Sequence, residues 1–262
     1  LVPSLLLGSY LLNTNVISYQ GIWRVPLEQD GAGMKGEISH ELVKADPAVY
    51  PTFRPSAISV GPDGALYFCD WSNAIIGHMQ HHLRDPNRDH KHGRIYKLTY
   101  EGRELLKPVK IDGESIENLL ENLKVWEDNV RMRSKIELAK HDPKKVTDAA
   151  DAWVAKLDKS DKEYEHHRLE ALWVHQWVDV VDVDLLKAVL KSPEPRARAA
   201  ATRVLCYWKD RVPGALDLLK TAVNDDDMRV RMHAVRALSF YQPTPDAEKA
   251  LEIAYDALKH PT

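Results

Sequence analysis

The chain is poor in cysteine, the residue that marks dithiol redox centres and thiolate zinc sites. Its 262 residues include two cysteines, Cys69 and Cys206, and neither lies in a C-x-x-C or C-x-x-C-H frame. A redox dithiol, a covalent haem attachment and a cysteine zinc knuckle are therefore excluded, leaving two buried or unpaired thiols. Long apolar runs are lacking too: none approaches the roughly 18 residues of a membrane span, so no transmembrane segment is encoded here. The opening LVPSLLLGSYLL is apolar but has no basic segment before it and does not begin with Met. It does not read as a signal peptide, and a fragment, or a chain whose start lies upstream, fits better. An excess of positive charge is missing as well. The net charge is −3, which argues against a nucleic-acid partner. G-x-S-x-G, G-x-G-x-x-G and P-loop signatures are absent.

Glycine is scarce on one side only. Beyond residue 112 just Gly113 and Gly214 occur, whereas before it Gly and Pro punctuate short apolar runs: IWRVPL (22–27), AISVG (57–61), ALYF (65–68) and RIYKLTY (94–100). Turn signals such as Gly61-Pro62-Asp63-Gly64 bound these runs, a grammar of strands and tight turns. Six to eight strands are expected, about two four-stranded units. In the second half apolar residues recur at three- and four-residue spacing, as in Ile116, Leu119, Leu120 and Leu123, which predicts amphipathic helices. The fold class is thus α+β and multidomain. An N-terminal antiparallel β region (residues 1–111) precedes an α-solenoid (112–262), with a linker over Lys107–Gly113.

The helical half repeats. Arg131-Met-Arg133, Arg196-Ala-Arg198 and Arg229-Val-Arg231 align at about 65 and 33 residues, with Glu163-Tyr-Glu165 as a divergent unit between the first two. Leu172, Leu205 and Leu238 follow at a fixed offset, and each Arg pair follows an acidic or proline-marked turn: Glu127-Asp128, Ser192-Pro193-Glu194-Pro195 and Asp225-Asp226-Asp227. Such turns supply N-caps and favourable charge at helix starts. A 33-residue period also suits tetratricopeptide or ankyrin units, but W-x-x-L-G and T-P-L-H are absent. The turn, R-x-R and small-residue helix together point to HEAT-like hairpins, which bury their faces against their neighbours. Trp126, Trp153, Trp173, Trp177 and Trp208 read as solenoid core, and His166 and His167 as surface or inter-repeat contacts. The Arg pairs either form a ladder with acidic turns or meet an acidic partner.

The densest chemistry lies in the His-rich loop 71–93 and at its edges: Asp70, His78, His81, His82, Arg84, Asp85, Arg88, Asp89, His90, His92 and Arg94. Imidazoles with carboxylates can hold a first-row metal, with His78, His81 and His82 as the metal candidates. The arginines can clamp a carboxylate or phosphate, and a long loop ordered by Arg–Asp pairs is the plain structural reading. The spacing matches no H-E-x-x-H or knuckle pattern. The phrase Val60-Gly-Pro-Asp-Gly-Ala-Leu-Tyr-Phe-Cys-Asp-Trp71 predicts a strand, a tight turn and a second strand ending at Asp70. A hairpin of this kind recurs once per blade in propellers of the glucose/sorbosone-dehydrogenase and gluconolactonase type. Two blades cannot close a propeller, so on this reading the chain holds its last blades; a small β-sandwich is the alternative.

Taken together, FRPSAISVGPDGALYFCDW, NAIIGHMQHHLRDPNRDHKHGRIYKLTY, LEALWVHQWVDVVD and SPEPRARAAATRVLCYWKDRVPGALDLL resemble the propeller end and HEAT segment of the large haem-binding, membrane-bound-dehydrogenase-like proteins of planctomycetes and related bacteria. The resemblance runs from about Gly8 to Pro261. It implies an extracytoplasmic, periplasmic oxidoreductase acting on sugars or other alcohols. It also implies haem c on a C-terminal cytochrome-like domain, and a quinone or calcium in the complete propeller. This sequence carries neither the early blades nor the haem domain, so those missing parts are its implied partners, and alone it is not a complete catalyst. Within the matched loop, Asp70, His78, His81, Arg84, Asp85, Arg88, Asp89, His92 and Arg94 are the expected lining of any ligand site. Two other functions stand beside this one: a non-enzymatic HEAT scaffold with a protein partner on the solenoid surface, and a metal- or anion-binding module built on the loop.

Overall fold

Seven strands and nine α-helices are present among the described residues of the computed structural model, which are 9–16, 19–37, 40–73, 85–86 and 88–260. The chain divides into two regions, Leu1–Glu28 with Lys35–Val109, and Lys110–Thr262 with Gln29–Met34.

The β region holds two antiparallel sheets. In the first, β2 (Gly21–Asp30) is central, with β1 (Ser9–Asn15) on one side and β3 (Gly33–Gly36) and β4 (His40–Lys44) on the other. The second is a three-stranded meander of β5 (Pro55–Val60), β6 (Leu66–Asp70) and β7 (Arg94–Leu98). It has one strand fewer than a four-stranded unit, and the two sheets do not close into a ring. Alternation places Ile22 of β2 and Phe68 of β6 inward. Both are buried, with Phe53 between them and Leu12, Val43, Ile58 and Leu98 packed around. The rings of Phe68 and Tyr96 stack at 5.3 Å, and Phe53 meets Phe68 edge-on at 6.2 Å.

The β5–β6 turn explains its own sequence. The Gly61 amide donates to the Ala65 carbonyl at 2.8 Å, and Asp63 Oδ1 accepts from the Ala65 amide at 3.1 Å. Gly64 has φ +72° and a Cβ there would stand 2.8 Å from Leu106 Cδ1, so only glycine fits without strain. The register that follows pairs Val60 with Leu66 and, after a bulge, Pro55 with Asp70, while β7 sets Arg94 opposite Asp70.

The helical region is a row of hairpins: α1 (Ile116–Glu121) with α2 (Asp128–Leu138), α3 (Pro143–Ala155) with α4 (Tyr164–Trp177), α5 (Val183–Val189) with α6 (Pro195–Trp208), and α7 (Ala215–Val223) with α8 (Met228–Ser239). The last helix, α9 (Ala247–Tyr255), packs on the fourth hairpin. The second helices α2, α4, α6 and α8 lie in sequence, each against the next. Carboxylates start several of these helices. Asp142 caps α3, Asp182 caps α5, Glu194 caps α6 behind Pro195, and Asp227 caps α8 through the amides of Arg229 and Val230. Glu127, before α2, makes no such side-chain bond.

Four leucines mark the period: Leu138, Leu172, Leu205 and Leu238, at most 3% exposed and spaced 34, 33 and 33 residues. Three residues further on, the later units place Trp208 and Tyr241, both buried. This register corrects the alignment of the arginines. Arg131 Nη1 donates to the carbonyls of Val125 and Trp126, Arg198 Nη1 to Ser192 and Pro193, and Arg231 Nη1 to Asp225 and Asp226. Each thus ties down the carbonyls five and six residues before it. The equivalent positions are Arg131, Glu165, Arg198 and Arg231, so Arg131 matches the second arginine of the later pairs. Arg133 is exposed, and Arg196 pairs locally with Glu194 at 2.7 Å.

A second correction concerns the tryptophans. Trp153 and Trp208 are buried and Trp173 half-buried, but Trp126 is 56% and Trp177 51% exposed. Trp177 ends α4 beyond its packed face. Trp126 lies in the turn before α2, where its carbonyl accepts from Arg131.

Candidate functional site

Asp70, at the end of β6, organises the start of the loop that concentrates the ionisable residues. Its carboxylate is fully enclosed. Oδ1 accepts from the backbone amides of Arg54 at 2.8 Å and Ser72 at 2.7 Å; Oδ2 accepts from the Tyr50 hydroxyl at 2.5 Å, with Arg94 Nη1 at 3.8 Å. The Arg94 guanidinium also lies 5.2 Å from the Tyr50 ring centre. Burial, then the hydrogen bond to Asp70, pushes the Tyr50 phenol above its ordinary range. Burial lowers the Arg54 guanidinium. With both oxygens engaged by the protein itself, Asp70 is a positioning group for the strand end.

Asp89 and His92 form a second local pair. Asp89 Oδ1 accepts from the amides of Lys91 and His92 at 3.0 and 3.1 Å, and His92 Nδ1 is 3.0 Å from Oδ2. The Lys91 amide, before the other donors, holds the Asp89 carboxyl below its usual range. Both side chains are open to solvent, and the Arg88 amide donates to the Asp85 carbonyl nearby. His78, His81, His82 and Arg84 lie outside the described residues. The structure therefore brings together Asp70 with Arg94 and Asp89 with His92. Among the described residues, no three metal-ligating side chains of the loop converge.

In the helical region the buried charges bind hairpin to hairpin. Glu170 of α4, 2% exposed, accepts from Arg131 Nε of α2 at 3.0 Å and from Lys135, with His166 Nε2 at 3.3 Å. Burial alone would raise its carboxyl, yet His166, Lys135 and Arg131 outweigh burial and hold it low. Arg198 reaches Asp225 in the turn before α8. His167 is buried against Trp153, ring centres 6.2 Å apart, and burial lowers its basicity.

A cleft of about 260 Å³ opens between α6 and α8, lined by Arg203, Cys206, Tyr207, Lys209, Asp210, His233, Arg236 and Phe240. Arg203 and Arg236 sit one repeat apart and are exposed. Neither forms an ion pair among the described residues. His233 Nδ1 is buried with no hydrogen-bond partner there. Burial, reinforced by the charges of Arg203, Arg236 and Arg229, lowers the His233 imidazole, while burial raises the Cys206 thiol. These residues escaped the sequence reading because R-x-R drew attention to the helix starts. The signal that finds them is the 33-residue spacing of Arg203 and Arg236 in the middle of their helices.

The family model of HEAT repeats matches residues 183–262, and that of a domain of unknown function, DUF7133, matches residues 22–102. No curated protein and no solved structure matches significantly. The chain is therefore an antiparallel β region with a match to DUF7133, followed by a helical region with a match to HEAT repeats. No helix among the described residues is long and apolar enough to cross a membrane.

Proposed function

We propose that this chain is an interaction scaffold whose second-helix face takes an acidic segment of a protein partner in the cleft between α6 and α8. One observation carries the reading: Arg203 and Arg236 stand a repeat apart over the cleft, without carboxylate partners of their own among the described residues. Most other arginines of the helical region are engaged: Arg131 with Glu170, Arg168 with Glu165, Arg196 with Glu194, Arg198 with Asp225 and Arg211 with Asp179. A planar guanidinium fits a carboxylate at two points, and Tyr207 and Phe240 give such a segment apolar area beside the charges. HEAT stacks bind partners through extended surfaces of this kind. The test is fluorescence anisotropy with a fluorescein-labelled oligoglutamate peptide. The double variant Arg203→Glu/Arg236→Glu, at exposed positions, should keep its circular dichroism and bind at least about tenfold more weakly. Undiminished binding sinks the reading.

A second reading concerns origin. The edge strand β7 leaves Ile95 76% exposed, and Tyr100 beyond it 74%, an apolar sheet edge of the kind proteins normally cover. That supports blades beyond the two sheets, as in the propeller of an extracytoplasmic dehydrogenase-like protein with haem c on a separate domain. On this view the chain contributes scaffold and blade ends to an oxidoreductase, and the substrate, quinone and any calcium belong to the whole. The flanking coding sequence decides it: further P-D-G hairpins upstream and a C-x-x-C-H downstream are expected, and lack of either ends the proposal.

A further inference from the structure

We propose that Asp151, His175 and Asp182 bind a divalent first-row metal ion with zinc-like ligand preference, joining two successive hairpins of the solenoid. The position of His175 first sets it apart. It follows Leu172 by the same three residues that separate Trp208 from Leu205 and Tyr241 from Leu238. Those two aromatic side chains are buried and fill the end of their hairpins. In the α3–α4 hairpin the same place holds an imidazole, 2% exposed, although packing there asks only for an aromatic ring.

The imidazole faces carboxylates on one edge and, among the described residues, meets no hydrogen-bond partner on the other. Nε2 is 3.0 Å from Asp151 Oδ1 and 3.8 Å from Asp182 Oδ2. Nδ1 is buried with no hydrogen-bond partner among the described residues. A single His–Asp hydrogen bond would account for Asp151 but not for Asp182 Oδ2, which stands beyond hydrogen-bond reach. A cation placed between Nε2 and the two carboxylates would engage all three groups at once. One ligand atom from each of the three residues lies within 4.8 Å of the other two. Tetrahedral zinc with bonds of about 2.0–2.1 Å sets its ligand atoms roughly 3.4 Å apart, and 3.0 and 3.8 Å bracket that value.

The surrounding chain fixes these groups. Asp182 uses Oδ1 to cap α5, accepting from the amides of Asp184 at 3.0 Å and Leu185 at 2.9 Å, which leaves Oδ2 for the site. Hydrogen bonds of this sort orient metal-ligating carboxylates. Before it, the chain reverses through Asp179 at φ +58°, with the Val180 amide donating to the His175 carbonyl at 3.0 Å and the Asp179 amide to Gln176 at 3.2 Å. Arg211 Nη2 holds that turn through Asp179 Oδ1 at 2.6 Å. The three donors come from α3, the last turn of α4 and the cap of α5, so an ion among them ties the second hairpin to the third. A surface cleft of about 400 Å³ opens here, bordered also by Thr147, Val180 and Val181. It leaves room for water at a fourth position. One imidazole with two carboxylates suits zinc, cobalt or manganese in preference to a soft metal.

The site is separate from the Arg203–Arg236 cleft, and its test does not depend on that reading. The full chain, with His78, His81 and His82 replaced by alanine to remove competing loop ligands, is stripped with EDTA. It is then titrated with zinc chloride by calorimetry and followed by thermal melting. About one equivalent should bind and raise the Tm. Asp151→Asn, at a half-exposed position, and Asp182→Asn, which keeps an N-cap acceptor, should each weaken binding at least about tenfold with the circular dichroism unchanged. His175→Trp, which restores the residue type of Trp208, should fold and melt at a temperature indifferent to zinc. Absence of binding at millimolar zinc, undiminished affinity in the Asn variants, or a zinc-dependent Tm in His175→Trp would each overturn the proposal.

Discussion

Arg198 on α6 and Asp225 in the turn before α8 form a two-point ion pair, Nε to Oδ2 and Nη2 to Oδ1, both at 2.8 Å. The same guanidinium sends Nη1 to the Ser192 and Pro193 carbonyls of its own hairpin. One side chain therefore locks its own turn and the next unit's turn together. Both groups are largely shielded, so the bonds are charge-assisted and partly desolvated. A double-mutant cycle on Arg198→Ala and Asp225→Ala should return a coupling of about 1–3 kcal/mol. A coupling near zero would mean that the repeat contact is carried by its apolar residues alone.

Glu170 is the most deeply buried acid of the helical region and serves Arg131, Lys135 and His166 together. Its folded pKa is depressed, so its contribution to stability is fully present above the unfolded value of about 4.3. That contribution is lost as pH falls through the lower folded value. Glu170→Gln should cost about 3–5 kcal/mol at neutral pH, because it strands two buried cations. The variant's stability should also change less with pH on the acid side. Denaturant melts from pH 3 to 7 measure both effects.

The P-D-G hairpin and its delivery of Asp70 to a strand end were legible because turn chemistry and two-residue alternation are local. The helical repeat was legible for the related reason that Leu172, Leu205 and Leu238 keep a constant spacing. The match of Arg131 with Arg198 was not, since R-x-R fits two registers equally well. Leu138 decides between them, and the choice is enforced by which arginine reaches the carbonyls behind it. The Asp151–His175–Asp182 group had no signature to read. Its members are 24 and 7 residues apart and meet only because a left-handed residue at Asp179 folds the chain back.

Asp63 offers a local check on the β region. Lys97 Nζ lies 2.6 Å from its Oδ2, and the Tyr67 hydroxyl and Ala65 amide donate to the same carboxylate. The Lys97 hydrogen bond leads the effects that bring Asp63 down to about 2. An NMR titration of the side-chain carboxyl should show a midpoint near that value, and Lys97→Ala should move it back toward the ordinary range. The sign follows from the depression: what this contact adds to the folded state fades as pH falls from about 4 toward about 2. A midpoint near 4 in the unmodified chain would show that β7 does not present Lys97 to the turn.

Trp208 and Trp177 both sit at the ends of second helices, yet one is 1% and the other 51% exposed. Trp208 fills the space behind Leu205, so Trp208→Ala opens a large cavity and should cost about 3–5 kcal/mol. Trp177 lies just past His175, where the hairpin end is already closed by the imidazole, and its ring faces solvent. Trp177→Ala should therefore change stability by less than about 0.5 kcal/mol. Urea unfolding of the two variants, compared at constant slope, separates the cases. Equal losses would place Trp177 in an interface, since solvent alone gives a half-exposed indole no comparable stabilising role.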